Sequence, residues 1–60
     1  MKNLEKHLES IREEVHAFFE EIDKYIEKGN KSALRRSRVS STKITKLIKE
    51  FRKMTSPSNN

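Results

Sequence analysis

Sixty residues with a net charge of +5, 38% charged and 32% hydrophobic side chains make one small domain with a thin core, and a chain this short leans on partners or self-association for stability. The absence of cysteine excludes a disulfide framework and a thiolate metal site. No apolar run approaches the roughly 18 residues of a membrane span, and charges at Lys2, Glu5 and Lys6 break any secretory apolar segment, so neither insertion nor secretion is expected.

The apolar residues of the first half are Leu4, Leu8, Ile11, Val15, Phe18, Ile22 and Tyr25. Their alternating steps of four and three hold one face of a helix. Phe19 and Ile26 widen that seam to a stripe of roughly 120°, as in a bundle helix. Asn3 is the candidate N-cap, which predicts a first helix over about 3–28. Gly29, the single glycine, then stands next to Asn30. A left-handed glycine can end one helix and an asparagine can cap the next, which predicts a turn at 29–30. A second helix is predicted over about 31–54, ending before Thr55-Ser56-Pro57, with residues 55–60 as a flexible tail.

The second seam reads Leu34, Ser37, Ser41, Ile44, Ile48, Phe51. Folding at Gly29-Asn30 pairs positions whose numbers add to 59, so these six face Tyr25, Ile22, Phe18, Val15, Ile11 and Leu8 in turn. Two serines then lie against large side chains, as close packing requires. The expected fold is all-α: two long antiparallel helices in a helical hairpin, one domain over residues 1–60. Phe19, Ile26, Leu47 and Met54 lie beside the seam and stay wet in a lone hairpin. A homodimer forming a four-helix bundle is the expected remedy; a monomer that orders only on binding is the alternative.

Charge divides the chain. Residues 1–28 hold five Lys/Arg against eight Asp/Glu, and residues 29–60 hold nine Lys/Arg against the single acid Glu50. On the second helix Lys31, Arg35, Arg38, Lys46, Lys49 and Lys53 fall within roughly 80° of one another at 100° per residue. Thr42 shares their stripe, Arg36 and Lys43 flank it on one side, and Arg52 flanks it on the other. A straight row of cations suits a regularly charged polyanion. Glu9, Glu13, Glu20, Asp23 and Glu27 fall on the outward side of the first helix, too far round to neutralise it. The competing readings are a solvated face and a basic helix lying on a membrane, and the second suffers because the first helix already claims the apolar side.

The run Glu27-Lys28-Gly29-Asn30-Lys31, then Ala33, Arg36 and Arg38, Ser41, Lys43, Lys46, Lys49 and Arg52-Lys53 resembles the chlamydial linker-histone-like family of DNA-condensing proteins. The resemblance covers residues 27–53; the first helix matches only in its acidic, amphipathic character. It implies a protein that binds double-stranded DNA with little sequence preference and compacts the nucleoid, in the cytoplasm. It further implies that Lys31, Arg36, Arg38, Lys43, Lys46, Lys49, Arg52 and Lys53 belong to the DNA-binding surface, with Arg35 this chain's own addition. Chlamydial members of the family carry a long Lys/Ala/Pro-rich tail and short relatives occur in other bacteria, whereas this sequence closes on Ser56-Pro57-Ser58-Asn59-Asn60. The helices or their oligomer are therefore expected to act on DNA in its place.

Nothing in the sequence reads as catalysis. His7 and His16 fall on opposite sides of the first helix and make no metal pair; His7 reads as a half-buried packing residue. The serines have no His/Asp partners arranged around them, and one glycine cannot form a phosphate-binding loop. Phe18, Phe19, Tyr25 and Phe51 have core spacing and not that of base-stacking platforms. No enzyme activity, cofactor, metal or small-molecule substrate is expected. The rival reading is a helical-hairpin module that binds other proteins and no nucleic acid.

Overall fold

Two residues reverse the chain. In the computed structural model, which describes residues 2–56, α1 runs Lys2–Lys28 and α2 runs Lys31–Thr55. Gly29 takes φ +65°, a left-handed conformation that costs a residue with a side chain about 1–2 kcal/mol. Its N–H closes α1 on the Tyr25 carbonyl at 2.8 Å. Asn30 stays extended, with φ −76° and ψ 102°, and its side-chain oxygen accepts the Ala33 N–H at 3.1 Å. One free donor at the start of α2 is thereby satisfied. Asn3, expected to cap α1, lies inside it, because the helix already begins at Lys2. Thr55, expected in the tail, is the last residue of α2, its hydroxyl donating to the Phe51 carbonyl at 2.9 Å. The rest of the expected tail, residues 57–60, lies outside the described residues.

The helices pack side by side into a plate of 46 × 20 × 11 Å. Its seam differs from the heptad expectation. The buried residues of α2 are Ala33, Ser37 and Ser40, joined by half-buried Leu34, Ile44, Leu47 and Phe51. Ser41, expected against Phe18, is exposed, and Leu8, Tyr25 and Ile48 are also left more than a third open. Leu47, expected beside the seam, is turned into it. On α1 the covered side is Leu4, His7, Ile11, Glu14, Val15, Phe18, Glu21 and Ile22. From the expected seam α2 is thus rotated by roughly 45° and α1 by roughly 30°. The physical reason lies in the small side chains: Ala33, Ser37 and Ser40 share one side of α2 and let the backbones approach. The Ser37 hydroxyl donates to the Leu34 carbonyl at 2.6 Å, so its burial leaves no proton unpaired.

The register shifts as well. Arg36 meets Glu21 and His7 meets the Leu47 carbonyl, pairs whose numbers add to 57 and 54, short of the expected 59. A helical carbonyl points on toward the C-terminus, so both contacts describe one register. The His7 contact is 2.7 Å long and fits an Nε2–H donating to the carbonyl. His7 is half-buried, as its place at the seam edge predicts.

Candidate nucleic-acid interface

The rotation of α2 decides where its charges go. Its covered side centres on Ala33, Ser37, Ser40, Ile44, Leu47 and Phe51. About 170° round the helix from that centre lie Lys31, Arg35, Arg38, Lys46, Lys49 and Lys53, all exposed. The six cations therefore point straight out of one edge of the plate. From Lys31 to Lys53 they span about 33 Å at 1.5 Å per residue. Among the described residues, none of the six is held in an ion pair.

The row is divided. Lys31, Arg35 and Arg38 surround Leu34 in a shallow depression near the turn. A second depression, at the far end of α2, is lined by Lys49, Arg52, Lys53, Thr55 and Ser56. Between them, exposed Val39 and Thr42 carry no charge. The Thr42 hydroxyl, a candidate phosphate donor from the sequence, donates to the Arg38 carbonyl at 3.2 Å. Its proton is therefore already engaged within the helix.

The flanking cations are not equivalent. Arg52 joins the second depression, and Lys43 is exposed on the other flank. Arg36 is turned toward α1, with its Nη2 3.1 Å from Glu21 Oε1, an oxygen shut off from solvent. Lys24 approaches the other carboxylate oxygen at 3.9 Å. The Arg36 guanidinium, helped by Lys24 and opposed by desolvation, holds the Glu21 carboxyl below its ordinary 4.5. Arg36 thus enters any anion site with a carboxylate already beside it. Glu21 is the residue that sequence reading passed over. Its signal was the seven-residue spacing of His7, Glu14 and Glu21, which lays a polar border along one side of the α1 seam.

The opposite edge of the plate carries the other sign. Glu9, Glu13, Glu20, Asp23 and Glu27 are exposed on α1, about 180° from its packed side. Arg12 bonds Glu9 at 3.0 Å and His16 lies 3.2 Å from Glu20, so these two basic groups serve neighbouring acids. Among the described residues no group of three or more His, Cys, Asp or Glu is placed to hold a metal ion. Among the described residues no helix is long and apolar enough to cross a membrane.

Comparison with known proteins gives one result. The family model described as histone H1-like protein Hc1 matches residues 1–59. No curated protein and no solved structure gives a match. The matched span takes in the acidic helix, the turn and the basic helix together, well beyond the stretch 27–53 that carries the resemblance in sequence. The chain belongs to the histone H1-like protein family Hc1.

Proposed function

We propose that this hairpin binds duplex DNA without sequence preference, laying the outer edge of α2 along the phosphate backbone and helping to compact the nucleoid within the cytoplasm. A histone H1-like family is one of structural DNA-binding proteins and not of enzymes, and that membership supports the general role. The observation that carries the finer reading is the row Lys31, Arg35, Arg38, Lys46, Lys49 and Lys53, turned directly away from the packed seam and, among the described residues, held in no ion pair. Phosphates are what such a row fits. They recur at regular intervals, carry full charge and are the same for every sequence. Lys43 and Arg52 extend the surface on its flanks, and Arg36 contributes less because Glu21 shares its charge. The opposite edge, with its acids, repels the same duplex.

The working unit is a homodimer. Phe19 and Ile26 remain 58% and 71% exposed, and among the described residues Ala33 is the only apolar one that the lone hairpin fully buries. The test is a binding titration of two unrelated duplexes at several salt concentrations, together with a solution mass. Equal affinities that fall steeply with salt support this reading. A strong preference for one duplex points to base readout, and no binding at all leaves the hairpin as a protein-interaction module.

A further inference from the structure

Of the seven large apolar side chains left open among the described residues, four gather on one broad face of the plate, while Tyr25, Val39 and Met54 lie elsewhere. On α1, Leu8, Phe19 and Ile26 lie about 80° from the centre of the packed side, and on α2 Leu34, Ser41 and Ile48 lie about 70° from theirs, turned in the same sense. Antiparallel neighbours bring equal senses of rotation to the same face. Glu21 and Arg36 are turned in the opposite sense and meet across the other face. One face is therefore closed by an ion pair, and the other is a strip of Leu8, Phe19, Ile26 and Ile48 with exposures of 39%, 58%, 71% and 39%.

We propose that this strip is covered by the same strip of a second copy, with each α1 lying against the partner's α2 about a two-fold axis parallel to the helices. The proposal rests on the homodimer reading above and adds its geometry. A face of 46 × 20 Å offers about 900 Å², enough for the roughly 800 Å² per partner that a stable interface buries.

Two symmetric stackings exist, and packing separates them. Counting from the Glu21–Arg36 contact, Ser41 is level with His16, between Val15 and Phe19. Leu34 is level with Asp23, between Ile22 and Ile26, and Ile48 is level with Glu9, beside Leu8. With the axis parallel to the helices, those levels are kept between copies. Ser41 then receives Phe19 of the partner subunit, small against large, and Leu34 and Ile48 each enter gaps in the partner's apolar row. With the axis perpendicular to the helices, α1 meets its own copy and α2 its own. Ser41 would then stack on Ser41 while Val15 and Phe19 crowd together on the other pair, so the two helix pairs require different spacings.

Charge separates them in the same direction. The parallel axis sets each acidic edge of α1 beside the basic edge of a partner's α2. The perpendicular axis sets the two basic rows side by side, about 10 Å apart, about one Debye length at 0.1 M salt, so that their repulsion is only partly screened. In the favoured arrangement the two basic rows face outward from opposite edges of the bundle. One dimer then holds two duplexes, one on each side, with the partner's acids beside each row offsetting part of its pull on phosphate.

The chain has no cysteine of its own, so introduced thiols report the geometry. Phe19→Cys protein mixed with Ser41→Cys protein should form a covalent dimer on mild oxidation, while Ser41→Cys alone should stay single. A disulfide in Ser41→Cys alone, no disulfide in the mixture, or a one-chain solution mass for the unsubstituted protein would each overturn the proposal. Bead-tethered duplex should also capture a second, labelled duplex through unsubstituted protein. Binding of the tethered duplex without capture of the second contradicts the outward-facing rows. Failure to bind any DNA defeats the functional reading instead, and the disulfide pattern then decides the dimer by itself.

Discussion

Arg38 and Arg36 stand two residues apart with the same side chain, and they should differ in what they contribute to DNA binding. Six outward cations along about 33 Å engage at most six phosphates. At about −0.9 per contact, log affinity should fall with log salt at a slope of roughly −5. A fourfold rise in salt, from about 50 to about 200 mM, then costs about a thousandfold in affinity. Arg38→Ala removes a cation from the middle of the row and should flatten the slope by about one unit. Arg36→Ala removes a guanidinium that is turned from the row and lies 3.1 Å from Glu21. Removing it takes away little charge that a phosphate can use, so its slope should change by clearly less than one unit. Fluorescence anisotropy with a labelled duplex at five or so salt concentrations measures both. Equal flattening by the two variants would mean that Arg36 leaves Glu21 on binding. A shallow slope that neither variant alters would reduce the row to a solvated face.

Three further outcomes follow from the hairpin itself. Ser37 is 1% exposed at the close approach of the helices, so Ser37→Leu should overpack the seam and cost about 1–3 kcal/mol, read as a lower melting temperature by circular dichroism. Asn30→Ala removes the side-chain acceptor of the Ala33 N–H and should cost about 0.5–2 kcal/mol by the same measurement; no change would mean that the turn is set by Gly29 alone. Because its pairing with Arg36 depresses Glu21 below its ordinary 4.5, the stabilisation is present above that value and lost as pH falls through the lower, folded value. Unfolding midpoints of the unsubstituted chain and of Glu21→Gln should therefore differ most near neutral pH and converge in strong acid, whereas a constant gap would assign the loss to packing.

The hairpin could be read from the sequence because its signals are local and redundant. Gly29 and Asn30 supply the two backbone states the reversal needs, and the four-three spacing of apolar residues admits nothing but helices on either side. The basic row was legible for the same reason, since it depends only on positions within α2. The rotation of the seam was not legible. Heptad counting weighs Ser41 and Ser40 equally, and the choice between them is made by how near two backbones come, a property of the pair of helices. Leu47 and Ile48 are another such neighbouring choice, with Leu47 turned in and Ile48 left on the open strip. Glu21 stayed hidden because a carboxylate on an amphipathic helix ordinarily faces water. Only the register brings Arg36 to meet it.

The acidic helix then has a physical role in a protein that meets DNA. Alone, α2 offers a weak apolar side in which Ala33, Ser37 and Ser40 occupy the centre, and a helix with so little to bury is not held by propensity in water. Packing on α1 holds it straight and turns its cations one way. The acids of α1 stand on the far edge of the hairpin, away from those cations. Placing the same acids on the seam side would neutralise the row, as Glu21 does for Arg36 at one point only. The separation of charge into two edges is therefore what lets a chain of modest net charge gather six of its fourteen Lys and Arg side chains on one edge of the hairpin.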